Sequence, residues 1–453
     1  MSCGVKYNSM TQKNALDILK LGKNVFLTGA AGSGKTYVLN KYIAYLKKNA
    51  IPVAVTASTG IAATHMNGKT IHSWAHIGIK DSLSSSDLNA IFARKEFRQS
   101  IAEAKVLIID EVSMLHHFRL DMVDAVLRKM HGNNKPFGGI QVVLCGDLFQ
   151  LPPVSRGMRA QYITKSEAWN AMDIHICYLS EQFRQDDDRL LTLLNEMRSG
   201  EVSEASIEYL MARKNVEPIS DIIPTKLYTH NADVDAINDL QLAKLGTKEK
   251  TYKMTAKGDR SVSAALKKSC LAPEELKLKI GAVVMFVQNN YAKGYVNGTL
   301  GKVISFDSDG MPVVQTLKGK IITAVMGSWR VEEGTDTVAE INQLPLRLAW
   351  AITVHKSQGM TLDAAQIDLS KSFVLGMGYV ALSRVKTLDT INLLGLNSQA
   401  LLVDPVVIEI DSYLVKESAR HMRMIKAYSH EDISRLHQQF IQELKYDGTL
   451  SLV

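Results

Sequence analysis

At 453 residues the chain exceeds what one ordinary hydrophobic core organises, so two to four domains are expected. Hydrophobic residues make up 46% and charged residues 22%, and no apolar run approaches the roughly 20 residues of a membrane helix, which argues against a helical membrane protein. The formal charge of +7 suits a polyanionic partner but is modest for this length, and it excludes little by itself.

The N-terminal segment lacks a basic stretch followed by an apolar core and a small-residue cleavage site, so nothing marks it for secretion. Cys3, Cys145, Cys177 and Cys270 stand without CxxC spacing, against both a zinc site and a disulfide framework. An intracellular setting with reduced thiols is expected: cytoplasmic in a bacterium or virus, nuclear or organellar in a eukaryote.

The first 180 residues alternate short β-rich runs with amphipathic stretches, the order of a mainly parallel sheet covered by helices. Residues 25–28, 53–56, 106–110 and 141–147 read as buried strands, each passing into a loop rich in Gly, Ser, Thr, Asp or Glu. Function in such sheets concentrates at those carboxyl ends. After the first strand, Gly29-Ala30-Ala31-Gly32-Ser33-Gly34-Lys35-Thr36 matches the phosphate-loop pattern in full and precedes a helix expected over residues 37–48. Its glycines let backbone amides turn toward phosphates, Lys35 supplies charge to the β and γ groups, and Thr36 offers a hydroxyl to Mg²⁺.

Between the second and third strands, residues 80–100 are polar and read as an inserted subdomain or surface loop. The third strand ends in Asp110-Glu111, the carboxylates an ATPase needs: Asp110 for the Mg²⁺ shell and Glu111 to take a proton from the attacking water. The fourth leads into Asp147-Leu148-Phe149-Gln150-Leu151-Pro152-Pro153, where Gln150 stands as a polar sensor of the γ-phosphate or the attacking water. These features define ATP hydrolysis with Mg²⁺. A kinase, a transporter subunit or a signalling switch would share them.

Residues 279–330 change character, with strands expected at 283–287, 302–304, 312–314 and 321–324 and a turn at Val296-Asn297-Gly298-Thr299. This reads as a small β-barrel interrupting a second α/β domain. Past Pro405 the pattern is helical, with Ser429 and Asp432 as a capping box and Ile433, Leu436, Phe440, Ile441 and Leu444 as an apolar stripe suited to packing.

Several segments together resemble the superfamily-one helicases, and within them the Pif (petite integration frequency) family, from about residue 10 to residue 395. They are Thr56-Ala57-Ser58-Thr59-Gly60-Ile61-Ala62-Ala63 with Gly68-Lys69-Thr70-Ile71-His72-Ser73-Trp74, Glu111-Val112-Ser113-Met114-Leu115, and Gly294-Tyr295-Val296-Asn297-Gly298-Thr299. Leu348-Ala349-Trp350-Ala351-Ile352-Thr353-Val354-His355-Lys356-Ser357-Gln358-Gly359 and Tyr379-Val380-Ala381-Leu382-Ser383-Arg384 complete the series.

The resemblance implies an α/β fold of two RecA-like domains with doubly wound, mainly parallel sheets. It divides the chain into a first domain at 1–180 with an insertion at 79–100, a second at 181–275 and 345–453, and a small β-barrel at 276–344. It implies a 5′-to-3′ DNA helicase, acting as a monomer on single-stranded and on duplex or forked DNA. A related translocating subunit is the nearest rival, and a phosphate-loop switch a more distant one. By the same resemblance Arg184 and Arg384 reach the γ-phosphate, Gln12 reads adenine, and Thr59, His72, Trp74, Thr353, His355 and Lys356 lie on the strand. Trp74 equally suits a core, and His72 a satisfied structural histidine. His116 and His117 are no metal pair, because neighbours on a helix point about 100° apart.

Overall fold

The computed structural model describes residues 10–78, 80–153, 161–217, 224–228, 234–290, 292–295, 297–316, 319–333 and 336–446. Residue 79 of the expected insertion and Val296 of the expected turn lie outside them, as do the two chain ends. No described helix is long and apolar enough to cross a membrane.

Six parallel strands form the first sheet: β1 (Val25–Gly29), β2 (Val53–Ala57), β3 (Lys69–Thr70), β4 (Val106–Asp110), β5 (Gln141–Cys145) and β6 (His175–Leu179), in the order β3-β2-β4-β5-β1-β6. The central strands β1, β4 and β5 are buried along their whole length, which explains their near-continuous apolar sequences. Helix α1 (Gln12–Lys20) starts where the Thr11 side chain accepts from the Asn14 amide, and α2 (Lys35–Lys48) starts directly from the phosphate loop. The second sheet is also parallel and has the order Ala351–Thr353, Thr225–Tyr228, Ala365–Leu369, Ile391–Leu396. The molecule is therefore α/β, with two mainly parallel sheets.

Residues 80–100 are neither a single loop nor a separate core. They form helices Ser85–Ala93 and Lys95–Glu103, the first opened by a capping box between Ser84 and Asp87. Phe92 and Phe97 pack on the core of the first sheet, so the aromatic content within this polar stretch decides its structure.

The expected single barrel is instead a set of antiparallel sheets that begins earlier, near Lys250. Ile321–Thr323, Pro312–Thr316, Leu300–Phe306, Val283–Phe286 and Leu346–Leu348 form five adjacent strands around Phe286 and Tyr295, whose rings stack at 4.0 Å. A second group pairs Gly327–Glu333, Asp336–Gln343 and Thr255–Gly258. The latter strand lies outside the range anticipated because Thr255-Ala256-Lys257-Gly258 is fully exposed and carries no apolar alternation.

The C-terminal helices also differ from expectation. Pro405–Lys426 lies along β6, and Met422, Ile425 and Ile441 join the core formed by α1, α2 and the first sheet. Among the described strands β6 has one neighbour, β1, besides an isolated bridge from Met10 to Leu179, and an open edge exposes unpaired amides. Here Nδ1 of His421 accepts from the Ile176 amide at 3.1 Å, and Oγ of Ser418 accepts from the Tyr178 amide at 3.0 Å.

That contact makes stability depend on pH. His421 must be unprotonated at Nδ1 to accept, and burial, then His175 at 4.5 Å and Arg420, lower its pKa from 6.5 to about 4. His175 is lowered too, chiefly by burial, with Lys23 and Arg420 acting in the same sense and Asp173 opposing. A depressed folded pKa contributes stability above the unfolded value, which is lost as pH falls toward the folded one. The melting temperature should thus decline between pH 6.5 and about 4, and less steeply in His421→Asn, which keeps an acceptor but does not titrate. Parallel melting curves across that window would contradict this.

Candidate active site

The loop after β1 turns back on itself through left-handed backbone at Gly32 (φ 93°) and Gly34 (φ 86°). A Cβ at Gly34 would lie 2.0 Å from Nε2 of Gln12, and one at Gly32 would lie 2.6 Å from Cβ of Arg184, so only glycine fits between these neighbours. Lys35 heads α2 and points Nζ back along the loop, donating to the carbonyls of Gly29 at 2.8 Å and Ala30 at 3.0 Å. Gln12 donates from Nε2 to the Ser33 carbonyl at 3.2 Å. Thr36 is exposed in the first turn of α2.

β4 carries Asp110 to the same place, and Glu111 turns the chain with φ 53° and ψ 44°, a left-handed conformation that costs a non-glycine residue about 1 kcal/mol or more. The Glu111 amide donates to Oδ1 of Asp110 at 2.8 Å. Burial raises the pKa of both carboxyls. For Glu111 the neighbouring Asp110 adds to it, bringing the group to about 7 against the pull of Lys35, Arg384 and Gln358. Gln150, from the loop after β5, is buried beside them.

The second sheet supplies the opposite wall. Arg384, 1% exposed, follows helix Met377–Leu382 and is held by the carbonyl of Val380 at 2.8 Å and Oγ of Ser383 at 2.7 Å. Arg184 donates to the Ser383 carbonyl at 3.1 Å. Desolvation, then Arg384, lowers the pKa of Arg184 to about 9. A guanidinium does not give up its proton in a protein, so this shift measures an electrostatic cost that an anion between the two arginines would relieve.

One cleft of 630 Å³ is lined by Gly34, Lys35, Thr36, Asp110, Glu111 and Gln150 on one side and by Arg184 and Arg384 on the other. Buried Oγ of Ser33 and Oε1 of Gln150 have no hydrogen-bond partner among the described residues. Five cations, Lys35, Arg184, Lys356, Arg384 and Lys386, line the cleft with two carboxylates, Asp110 and Glu111. The loop, the cation excess and the paired oxygen donors Thr36 and Asp110 fit a Mg²⁺-bound polyphosphate.

The residues expected on a nucleic-acid strand divide. Thr59, His355 and Lys356 line the same cleft. Trp74 does not offer a face; it is 6% exposed within the core of the first sheet. Thr353 is 1% exposed, and its Oγ1 accepts from the Lys356 amide at 3.3 Å, so it shapes the loop from inside. His72 is half-buried, and burial, then Arg119 and His116, push its pKa down to about 4, leaving it neutral.

Two residues, one inside a quoted motif and one beside Arg184, were not singled out by type or spacing. Gln358 donates from Nε2 to Oε2 of Glu111 at 3.0 Å, and Phe183, 61% exposed, stands at the cleft beside Gly34. Their signal is positional, three residues after His355 and one before Arg184.

A phosphate loop, an Asp-Glu pair, an arginine from the second parallel sheet and another from the segment after β6 define a nucleotide-hydrolysing motor of two α/β units. Residues 9–206 match the family profile described as PIF1-like helicase, and 263–306 match DNA helicase Pif1, 2B domain. The chain is 45% identical to the ATP-dependent DNA helicase Pif1 of Psychrobacter sp. (strain PRwf-1), with 98% of this chain and 76% of that protein covered. It is 35% identical to the human ATP-dependent DNA helicase PIF1 over 88% of its own length, and spans 63% of that protein. Bacteroides sp Pif1 in complex with ADP-AlF4 superposes with a TM-score of 0.79 at 30% identity, covering 92% of this chain and 99% of that one. The chain belongs to the PIF1-like helicases, the ATP-dependent DNA helicases of that name.

Proposed function

We propose that the chain tracks 5′ to 3′ on single-stranded DNA and unwinds duplex or forked DNA, coupling each step to ATP hydrolysis in the cleft between its two sheets. The observation that carries this reading is the bond from Gln358 to Glu111. His355 and Lys356, which face the strand in this reading, share one short loop with Gln358. A strand that moves this loop therefore moves the group touching Glu111, the base for the attacking water.

Lys35 neutralises the β and γ groups, Gln150 orients the water, and Arg184 and Arg384 stabilise charge as the phosphoryl group leaves. Gln12 reads the adenine, against which Phe183 lies. Thr36 and Asp110 hold Mg²⁺, which draws charge from the phosphates when bound. Thr59, His355 and Lys356 take DNA phosphates, with His72 a neutral donor nearby; Trp74 and Thr353 support them from the core. The first ATPase unit takes residues 10–180 with the insertion at 80–100 and the helices past 405. The second takes 181–249 and 349–404, and the antiparallel sheets fill the interval.

Relatives with DNA support the coupling. Bacteroides Pif1 bound to ssDNA superposes on this chain with a TM-score of 0.63, against 0.77 for unliganded Pif1 from Bacteroides sp, at 30% and 31% identity. The arrangement here is nearer the DNA-free one, so we infer that the units rearrange when a strand binds. Both walls of the ATP cleft come from one chain, which suits a monomer inside the cell wherever DNA is handled.

Strand displacement tests the direction. A duplex with a 5′ single-stranded tail should be unwound in the presence of ATP and Mg²⁺, and one with only a 3′ tail should not. Unwinding confined to the 3′-tailed substrate would reverse the assignment.

A further inference from the structure

Five ionisable or phenolic groups meet behind the cleft, outside the set assigned to hydrolysis. Arg198, 8% exposed on helix Asp188–Ser199, donates from one nitrogen to Oδ1 of Asp147 at 2.8 Å and the Tyr379 hydroxyl at 3.0 Å. Its other terminal nitrogen reaches the Tyr178 hydroxyl at 2.6 Å and Oδ1 of Asp411 at 3.3 Å, and its guanidinium lies 4.0 Å from the Phe149 ring centre. The Tyr379 hydroxyl donates to Oδ2 of Asp147 at 2.9 Å and accepts from the phosphate-loop amide of Ala31 at 3.2 Å. A phenol has one proton and two lone pairs, so all three bonding positions of Tyr379 are filled and its orientation is set. Burial opposes the charge on Asp147, yet Arg198, Lys35 and Tyr379 together hold its pKa below the usual range, so the pair is ionised.

Tyr379 lies on the helix that leads to Arg384, and through this one hydroxyl that helix is tied to the phosphate loop. We propose that Tyr379 is a positioning residue for ATP hydrolysis, clamped by Arg198 and Asp147 so that its bond to the Ala31 amide sets how deeply Arg384 enters the cleft. Phosphate-loop amides are also what hold phosphate oxygens, so a nucleotide and Tyr379 address the same rim of the loop. Occupancy of the loop is thereby reported to the helix that leads to Arg384 through a single phenol.

The inference rests on the assignment of Arg384 to the reacting phosphate, and the experiment separates the two. Steady-state ATP turnover with saturating single-stranded DNA is measured for Tyr379→Phe, Tyr178→Phe and Arg384→Ala, with a melting curve for each. Tyr379→Phe keeps the ring but loses the three bonds; kcat should fall on the order of 10- to 100-fold, because small misplacement of a catalytic group has that effect. KM for ATP should move less than about threefold, since the loss falls on the transition state. Tyr178→Phe cuts the same cluster on its far side and should turn over like the wild type. Equal losses in Tyr379→Phe and Tyr178→Phe would mean a purely structural cluster and overturn the proposal, as would wild-type kcat in a folded Tyr379→Phe. Normal turnover in Arg384→Ala would instead remove the assignment on which it rests.

Discussion

Arg384→Ala should lower DNA-stimulated ATP turnover by about 10³-fold, close to 4 kcal/mol of transition-state stabilisation. The guanidinium is buried at the cleft and faces Glu111 from the second sheet, so in the proposed mechanism it adds charge to the reaction only while the two walls stand together. Its present partners are backbone carbonyls of Val380, Ser357 and Met360 and the Ser383 hydroxyl, none of them a carboxylate. A charge with only neutral partners is ready for an anion. Removing it leaves buried carbonyls short of a donor at about 1–3 kcal/mol each, so a melting curve must accompany the kinetics. Arg384→Lys keeps the charge without the fork and should recover part of the rate in the same turnover assay. Loss of melting temperature without loss of kcat per folded molecule would assign Arg384 to packing.

Lys35→Ala should abolish measurable hydrolysis while leaving single-strand binding within a few-fold of wild type. Lys35 Nζ is held over the loop by two carbonyls, those of Gly29 and Ala30, and no other lysine stands within the phosphate loop. The residues proposed for the strand, Thr59, His355 and Lys356, come from the helix after β2 and the loop after Ala351–Thr353, so their attachment does not pass through α2. Fluorescence anisotropy of a labelled oligonucleotide without nucleotide reads the binding directly. Loss of both properties in a folded protein would show that the two sites are not separable.

How far the sequence could be read follows the range of the interactions. The phosphate loop is legible because a strand end, three glycines with positive φ, and a lysine opening a helix all lie within eight residues of one another. β1, β4 and β5 are legible for a similar reason: burial on both faces writes an unbroken apolar run. β6 is not, since His175 and Tyr178 break the run, and both are explained by partners more than 200 residues away in the C-terminal helix. The apolar stripe of that region shows that it packs; nothing local states against which sheet. Trp74 shows the same limit in the opposite sense, as an aromatic beside a polar turn reads equally as a stacking face or as core, and only its surroundings decide. Gln358 and Tyr379 each make contacts 180 or more residues distant, and no spacing rule reports such contacts.

In the proposed mechanism, DNA on one side of the cleft governs chemistry inside it. The most direct test is steady-state ATP turnover of the wild type and of Arg384→Ala, each with and without a single-stranded oligonucleotide. Strong stimulation of the wild type and almost none of the mutant is the predicted result. Turnover in the wild type that is indifferent to DNA would contradict it, leaving a nucleotide hydrolase whose cleft closes without a strand.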